Sequence, residues 1–128
     1  MNTITQNERH DIVTETDVAL LVNTFYTKVR QDELLFPVFD RVIKNNWDAH
    51  LQKMMDFWST LLLYTRKFSG DPLTKHLPLP LEKAHFDRWL QLFNETVNEL
   101  FEGPIADNAP KRAYSIARIM KAVKKIPQ

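Results

Sequence analysis

The stretch Asp71-Pro-Leu-Thr-Lys-His-Leu-Pro78 decides how this chain is interpreted. Asp71 is a favourable helix cap, Pro72 suits the first helical position, and Pro78 cannot continue a helix. The stretch therefore predicts a single helical turn that presents His76 beside several leucines. A plain helical bundle does not need a histidine on so rigid an element, so the stretch predicts a binding site.

A second histidine and two aromatic residues extend this prediction. His50 lies on the apolar stripe of the preceding predicted helix, while Tyr26 and Trp89 lie beside or on the apolar stripes of two others. Iron in a b-type haem is bound by a neutral imidazole in apolar surroundings. Two histidines on facing elements, with aromatic hydrogen-bond donors nearby, therefore indicate a haem pocket.

Composition restricts the alternatives. The chain has 128 residues, a net charge of +1 and no cysteine. This charge gives no bulk attraction to nucleic acid or membranes, and the absence of cysteine excludes a disulfide framework, a thiolate metal site and covalent haem attachment. The N-terminus is polar, and no apolar run approaches the ~20 residues of a membrane span. We expect a cytoplasmic protein with a polar tail over residues 1–13 and one domain over residues 14–126.

Helical patterns cover the chain, and only two glycines are present, so the predicted class is all-α. Thr14 and Asp17 have the spacing of a capping box, and the residues after them are apolar at intervals of three and four. The elements predicted in this way are a helix from Thr14, a short turn that buries Phe36 and Phe39, a helix over residues 46–67, a helix over residues 81–102, and a last helix that starts at Asn108-Ala-Pro110.

Two other classes remain open from the residues alone. One is a non-haem metal site that combines His50 and His76 with carboxylates such as Asp48 or Glu82, although no Glu-x-x-His pair on facing helices supports a di-iron bundle. The other is an interaction domain whose aromatic core needs no ligand. No nucleophile with a recognisable base, phosphate loop or nucleotide fingerprint is present.

In the order and spacing of four stretches, the chain resembles the truncated haemoglobins, in particular their third group. The resemblance extends from about Val18 to Met120 and implies a 2-over-2 helical sandwich around haem b. The stretches are Phe25-Tyr26-Thr-Lys-Val-Arg30 with Pro37-Val-Phe39, Trp47-Asp-Ala-His50 with Phe57-Trp58, Pro72-Leu-Thr-Lys-His76-Leu, and His85-Phe-Asp-Arg-Trp89-Leu.

The resemblance assigns the iron chemistry to four residues. His76 matches the proximal histidine, which is the metal ligand. Tyr26 matches the tyrosine whose hydroxyl faces the other, distal side of the haem, where external ligands bind. His50 matches the residue at the distal gate, and Trp89 matches a tryptophan whose indole N–H reaches the distal side.

Further residues are expected to contact the cofactor. Phe39 matches a phenylalanine that packs on the haem face, and Lys53 matches a residue that pairs with a haem propionate. His85 stands where the family allows a histidine or an aromatic residue and receives no ligand role. The complete set of expected cofactor contacts is His76, Phe39, Lys53, Met54, Leu77, Phe86 and Trp89.

The implied function is the binding of dioxygen and other small diatomic ligands at haem iron. Distal donors would slow the release of oxygen, which favours ligand or redox chemistry, such as nitric oxide or peroxide detoxification, over bulk oxygen transport. No residue is assigned as catalytic, and turnover would require an external reductase. A monomer is expected.

Overall fold

The structure is a computed structural model, and it describes residues 9–68 and 80–128. These residues form five α-helices and no strand, which confirms the all-α prediction for this part of the chain. The predicted turn around His76 lies outside the described residues. The helices are α1 (Glu15–Gln31), α2 (Phe36–Ile43), α3 (Trp47–Leu63), α4 (Lys83–Leu100) and α5 (Pro104–Val123).

Helix α1 forms as predicted because its start is capped locally. The Thr14 hydroxyl accepts a hydrogen bond from the Asp17 amide N–H at 3.2 Å, and the Asp17 carboxylate accepts one from the Thr14 N–H at 3.0 Å. This confirms the predicted capping box. The inward face of α1 packs against both α3 and α4, so α1 lies at the centre of the fold. Its buried residues are Val18, Leu21, Val22, Phe25, Tyr26 and Val29.

Helix α3 ends earlier than its apolar pattern predicts. The helix stops at Leu63 instead of Lys67, because Tyr64 adopts a left-handed conformation with φ 59°. A left-handed residue is a common helix terminator, but it is usually glycine or asparagine. The Thr60 hydroxyl then holds the following segment, because it accepts a hydrogen bond from the Phe68 N–H at 2.9 Å.

The predicted start of the last helix at Asn108 is wrong. Helix α5 begins at Pro104, and Pro110 lies inside it. The missing cap comes from the other end of the chain: the Asp11 carboxylate accepts hydrogen bonds from the Ile105 N–H at 3.0 Å and the Ala106 N–H at 2.7 Å. Because this cap is non-local, nothing in the sequence around residue 104 indicates it.

The segment over residues 9–13 is part of the packed structure, so the polar tail expected to extend to residue 13 ends earlier. The side chain of Ile12 is 0% exposed and lies in the core. Arg9 donates hydrogen bonds to the backbone carbonyl of Asn98 and, at 2.9 Å, to Glu102, which attaches the segment to the end of α4. Two adjacent apolar residues, Ile12 and Val13, carry no helical periodicity, so the sequence contains no sign that this segment packs onto the domain.

Candidate functional site

An apolar pocket lies among the helices. It has a cavity volume of about 70 Å³ and is partly open to solvent. Its walls come from α1 to α5 and from the residues just before α2 and α4. The lining residues are Tyr26, Leu35, Phe39, Met54, Phe57, Trp58, Leu81, His85, Phe86, Trp89, Ile116, Ala117 and Met120.

Tyr26 brings a phenol to this pocket from the centre of α1. Its side chain is 4% exposed, and burial raises the pKa of the phenol well above its ordinary value of ~10. The hydroxyl therefore stays neutral at physiological pH and keeps its proton as a hydrogen-bond donor. The rings of Phe25 and Phe39 lie 4.9 and 6.2 Å from the Tyr26 ring and restrict its position.

Trp89 brings an indole to the pocket from α4. Its ring stacks on Phe93, with centroids 5.9 Å apart and planes inclined by 13°. Phe93 is stacked in turn on Trp58 at 4.7 Å, and Phe25 meets both Trp89 and Phe93 edge-on. This aromatic cluster gives the indole of Trp89 a defined orientation at the pocket wall.

His50 lies behind Tyr26 and not on the pocket wall itself. The two rings are 5.2 Å apart and perpendicular, at 88°. His50 is half-buried, and its Nε2 atom is buried. The structure therefore brings His50 and Tyr26 together, with Tyr26 nearer to the pocket.

The other expected cofactor contacts divide into three groups. Phe39, Met54 and Phe86 line the pocket. Lys53 is exposed and is not part of the pocket wall. His76 and Leu77 lie outside the described residues, and the cofactor roles of all these residues stay predictions.

His85 is a pocket residue to which the sequence assigned no role. Its Nδ1 atom accepts a hydrogen bond from the Glu82 N–H at 2.9 Å, so in the neutral ring the proton is on Nε2. With its proton on Nε2, this nitrogen has no lone pair for a metal, which agrees with the absence of a ligand role. The i, i+4 spacing of His85 and Trp89 on α4 was the available signal that they share a face.

The structure also bears on the two competing classes. Within residues 9–68 and 80–128, no group of three or more histidines and carboxylates lies close enough together to hold a metal ion. Asp48 and Glu82, the carboxylates considered for a non-haem site, are both exposed. No helix in the described part of the chain is long and apolar enough to cross a membrane.

The residues of the pocket fit a haem. A porphyrin requires an apolar cleft between helices, and the lining here is aliphatic and aromatic apart from a phenol, an indole and an imidazole. Protein cores are close-packed and hold few voids larger than a water molecule, so a cavity of about 70 Å³ is more space than a core without a ligand needs.

An all-helical fold with an apolar cleft of this kind is the architecture of a globin, and three comparisons support it. A family model described as bacterial-like globin matches residues 10–124. Group 3 truncated hemoglobin ctb from Campylobacter jejuni is 34% identical over 113 residues, which are 85% of this chain and 89% of that protein. The chain belongs to the bacterial-like globin family and, within it, to the third group of truncated haemoglobins.

Solved structures agree with this assignment. The crystal structure of group III truncated hemoglobin from Campylobacter jejuni has a TM-score of 0.83 and 32% identity, and the match covers 91% of this chain and 94% of that one. A truncated oxygen-avid haemoglobin from Bacillus subtilis has a TM-score of 0.70 and 27% identity, covering 84% and 93%. The predicted truncated-globin fold is thus confirmed, and the family implies that the protein binds haem and a small gaseous ligand.

Proposed function

We propose that this protein binds haem b through His76 and either holds dioxygen tightly enough to react it with nitric oxide or uses the same haem to reduce peroxide. The observation that carries the proposal is a neutral, buried phenol and a rigidly stacked indole on the wall of one apolar pocket. The role of His76 as the iron ligand is taken from the sequence resemblance.

Tyr26 and Trp89 supply the donors. When bound, haem supplies an iron atom with a coordination site for small gaseous ligands and the capacity to exchange electrons. The Tyr26 hydroxyl and the Trp89 indole N–H can each donate a hydrogen bond to a ligand that carries partial negative charge, and so favour its binding. Because the surrounding wall is apolar, such hydrogen bonds are stronger than in water.

The apolar lining serves the same purpose. Phe39, Met54 and Phe86 give the pocket an apolar wall that would disfavour water beside a bound haem, and exclusion of water protects a reduced centre from side reactions. The related Bacillus subtilis protein is described as oxygen-avid, which agrees with slow oxygen release here. Slow release is unsuitable for transport. Turnover then requires electrons from a separate reductase, and we propose that the chain works as a monomer.

The first experiment is an absorption spectrum of the purified protein, before and after dithionite and then carbon monoxide. We expect a Soret band that shifts sharply with carbon monoxide and is lost or altered in His76→Ala. A colourless, folded protein that takes up no added haemin would contradict the proposal. Metal analysis would then test the non-haem alternative.

Oxygen release from the ferrous protein tests the role of Tyr26. A hydrogen bond to a charged or partly charged group contributes ~1.5–3 kcal/mol, so Tyr26→Phe should release oxygen roughly 10- to 100-fold faster in stopped-flow measurements. Tyr114→Phe is the matched control, because Tyr114 is 54% exposed and does not line the pocket. An unchanged off-rate in Tyr26→Phe would remove the basis for tight oxygen binding.

A further inference from the structure

Two residues that do not line the pocket extend the pair formed by Tyr26 and His50: Trp47 contacts both members of the pair, and Arg30 contacts Trp47. Trp47 is the first residue of α3, and its ring centroid is 6.4 Å from that of Tyr26 and 5.9 Å from that of His50. The guanidinium carbon of Arg30 lies 4.6 Å from the centroid of the Trp47 ring. We call these four residues, Tyr26, Arg30, Trp47 and His50, the gate cluster.

The gate cluster joins two helices at corresponding turns. Tyr26 and Arg30 are one turn apart on α1, while Trp47 and His50 are nearly one turn apart on α3, so each pair shares a helix face. Trp47 is 6% exposed and lies between the two helices. Arg30 is itself exposed and covers the Trp47 ring with a permanent positive charge.

The start of α3 depends on this packing. Its N-cap residue, Asn46, makes no side-chain capping hydrogen bond. The His50 N–H donates to the Asn46 carbonyl at 2.9 Å, so His50 belongs to the first hydrogen-bonded turn of the helix. An uncapped first turn frays easily, and the buried indole of Trp47 is the contact that attaches this turn to α1.

The ring geometry at His50 gives the indole a direct role as well. The Trp47 and His50 rings are nearly perpendicular, at 86°, and the His50 and Tyr26 rings meet at 88°. The imidazole of His50 therefore has an aromatic ring on two sides. Movement of the Trp47 ring would therefore remove one of the two ring contacts that hold the imidazole beside Tyr26.

We propose that Arg30 and Trp47 are positioning residues that hold His50 against Tyr26. This inference rests on the proposed function, because that function places Tyr26, the residue that His50 contacts, on the ligand side of the pocket. Arg30 acts through Trp47: the cation–π contact holds the indole in place, and the indole holds His50.

The test measures how accessible the His50 imidazole is to diethyl pyrocarbonate, with mass spectrometry to follow each histidine of the haem-loaded protein. Loss of one cation–π contact should raise the rate at His50 roughly three- to tenfold in Arg30→Met. Arg30→Lys should restore most of the protection, since lysine retains the charge. Lys28→Met is the matched control, because it removes a cation from the same helix that pairs with Glu99 at 2.6 Å instead.

Other histidines in the same protein separate a local effect from general loosening. His10, whose side chain is 70% exposed, and His85, on α4, should react at unchanged rates. Unchanged labelling of His50 in a folded Arg30→Met protein would overturn the inference. An equal rise at every histidine would overturn it too, because it would show that Arg30 supports the whole fold.

A second readout connects the gate cluster to the ligand. The carbon monoxide stretching frequency of the ferrous protein responds to nearby hydrogen-bond donors, so Arg30→Met should broaden or split this band, and Lys28→Met should not. The two proposals also fail differently. A protein that takes up no haem contradicts the proposed function, and the labelling of His50 still reports on the gate cluster itself.

Discussion

Replacement of Asp11 by alanine removes the cap of a helix that begins more than ninety residues later in the chain. Gly103, the residue before α5, has no side chain to cap it. Asp11 takes that place, because its two carboxylate oxygens accept the Ile105, Ala106 and Ile12 N–H groups at 3.0, 2.7 and 2.8 Å. Asp11→Ala leaves these donors without their acceptor.

The size of the effect follows from these contacts. Loss of a helix cap costs ~0.5–2 kcal/mol, and a negative charge near a helix N-terminus adds ~0.3–1 kcal/mol. Because one carboxylate serves two amides of α5 and one of its own segment, we expect a loss of about 2 kcal/mol in the free energy of unfolding, near the upper end of that range. With an unfolding entropy of ~2.1 cal/mol/K per residue, this lowers the Tm by about 7 °C.

Urea unfolding followed by circular dichroism, at matched haem saturation, measures this loss. Asp107→Ala is the control, because Asp107 lies exposed in the first turn of the same helix. It removes the same charge without removing the cap, so it should cost about 0.5 kcal/mol. Equal losses in the two variants would refute the argument, since the charge alone would then explain the effect of Asp11.

The pH dependence gives an independent check on Asp11. Burial raises the pKa of this carboxyl, but the hydrogen bonds from Ile105, Ala106 and Ile12 outweigh it, and the pKa is lowered overall. A lowered pKa in the folded state means that the contribution is complete above the unfolded value of ~3.9 and is lost as the pH falls through the folded value. The wild type and Asp11→Ala should therefore converge in stability below about pH 4. A constant difference down to acid denaturation would contradict this.

Three further predictions concern other parts of the fold. Gly103→Ala should destabilise the protein by about 2 kcal/mol or more in urea unfolding, because Gly103 has φ 147° and an added Cβ would lie 2.5 Å from Cγ of Asp11; an unchanged midpoint would show that Asp11 moves aside freely. Arg88→Met leaves the carboxylate of Asp32, 6% exposed and bound at 2.6 Å, without its cation. The free energy of unfolding should fall by about 1–3 kcal/mol. This loss is smaller than for a fully buried ion pair, because Arg88 is itself 38% exposed. No change at neutral pH would mean that backbone donors alone satisfy the carboxylate. Trp89→Phe keeps the stacking on the core and removes only the N–H donor, so oxygen release should accelerate roughly two- to tenfold with little change in stability, and an unchanged off-rate would leave Tyr26 as the main donor.

Much of the fold follows from local sequence rules. The start of α1 was predictable because Thr14 and Asp17 cap it through contacts three residues apart. Helix α4 was predicted over residues 81–102 and runs over Lys83–Leu100, because apolar residues at intervals of three and four define a buried face. The same apolar periodicity placed Tyr26 and Trp89 on or beside buried helix faces, and the family resemblance predicted their roles on the distal side.

Where prediction failed, the deciding contacts were distant or conformational. The early end of α3 depends on a left-handed tyrosine, Tyr64, and no residue type there indicates it. The sequence also could not distinguish the pocket wall from the core. The apolar stripe of α5 that contains Ile116, Ala117 and Met120 is consistent with either one.

The sequence by itself determined the helical class and most helix positions, because spacing and capping act within a few residues along the chain. Only the tertiary structure decided that Asp11 caps α5 and that Arg30 covers Trp47 beside His50. Each of these contacts joins atoms whose proximity depends on how whole helices pack, and a linear pattern carries no record of that packing.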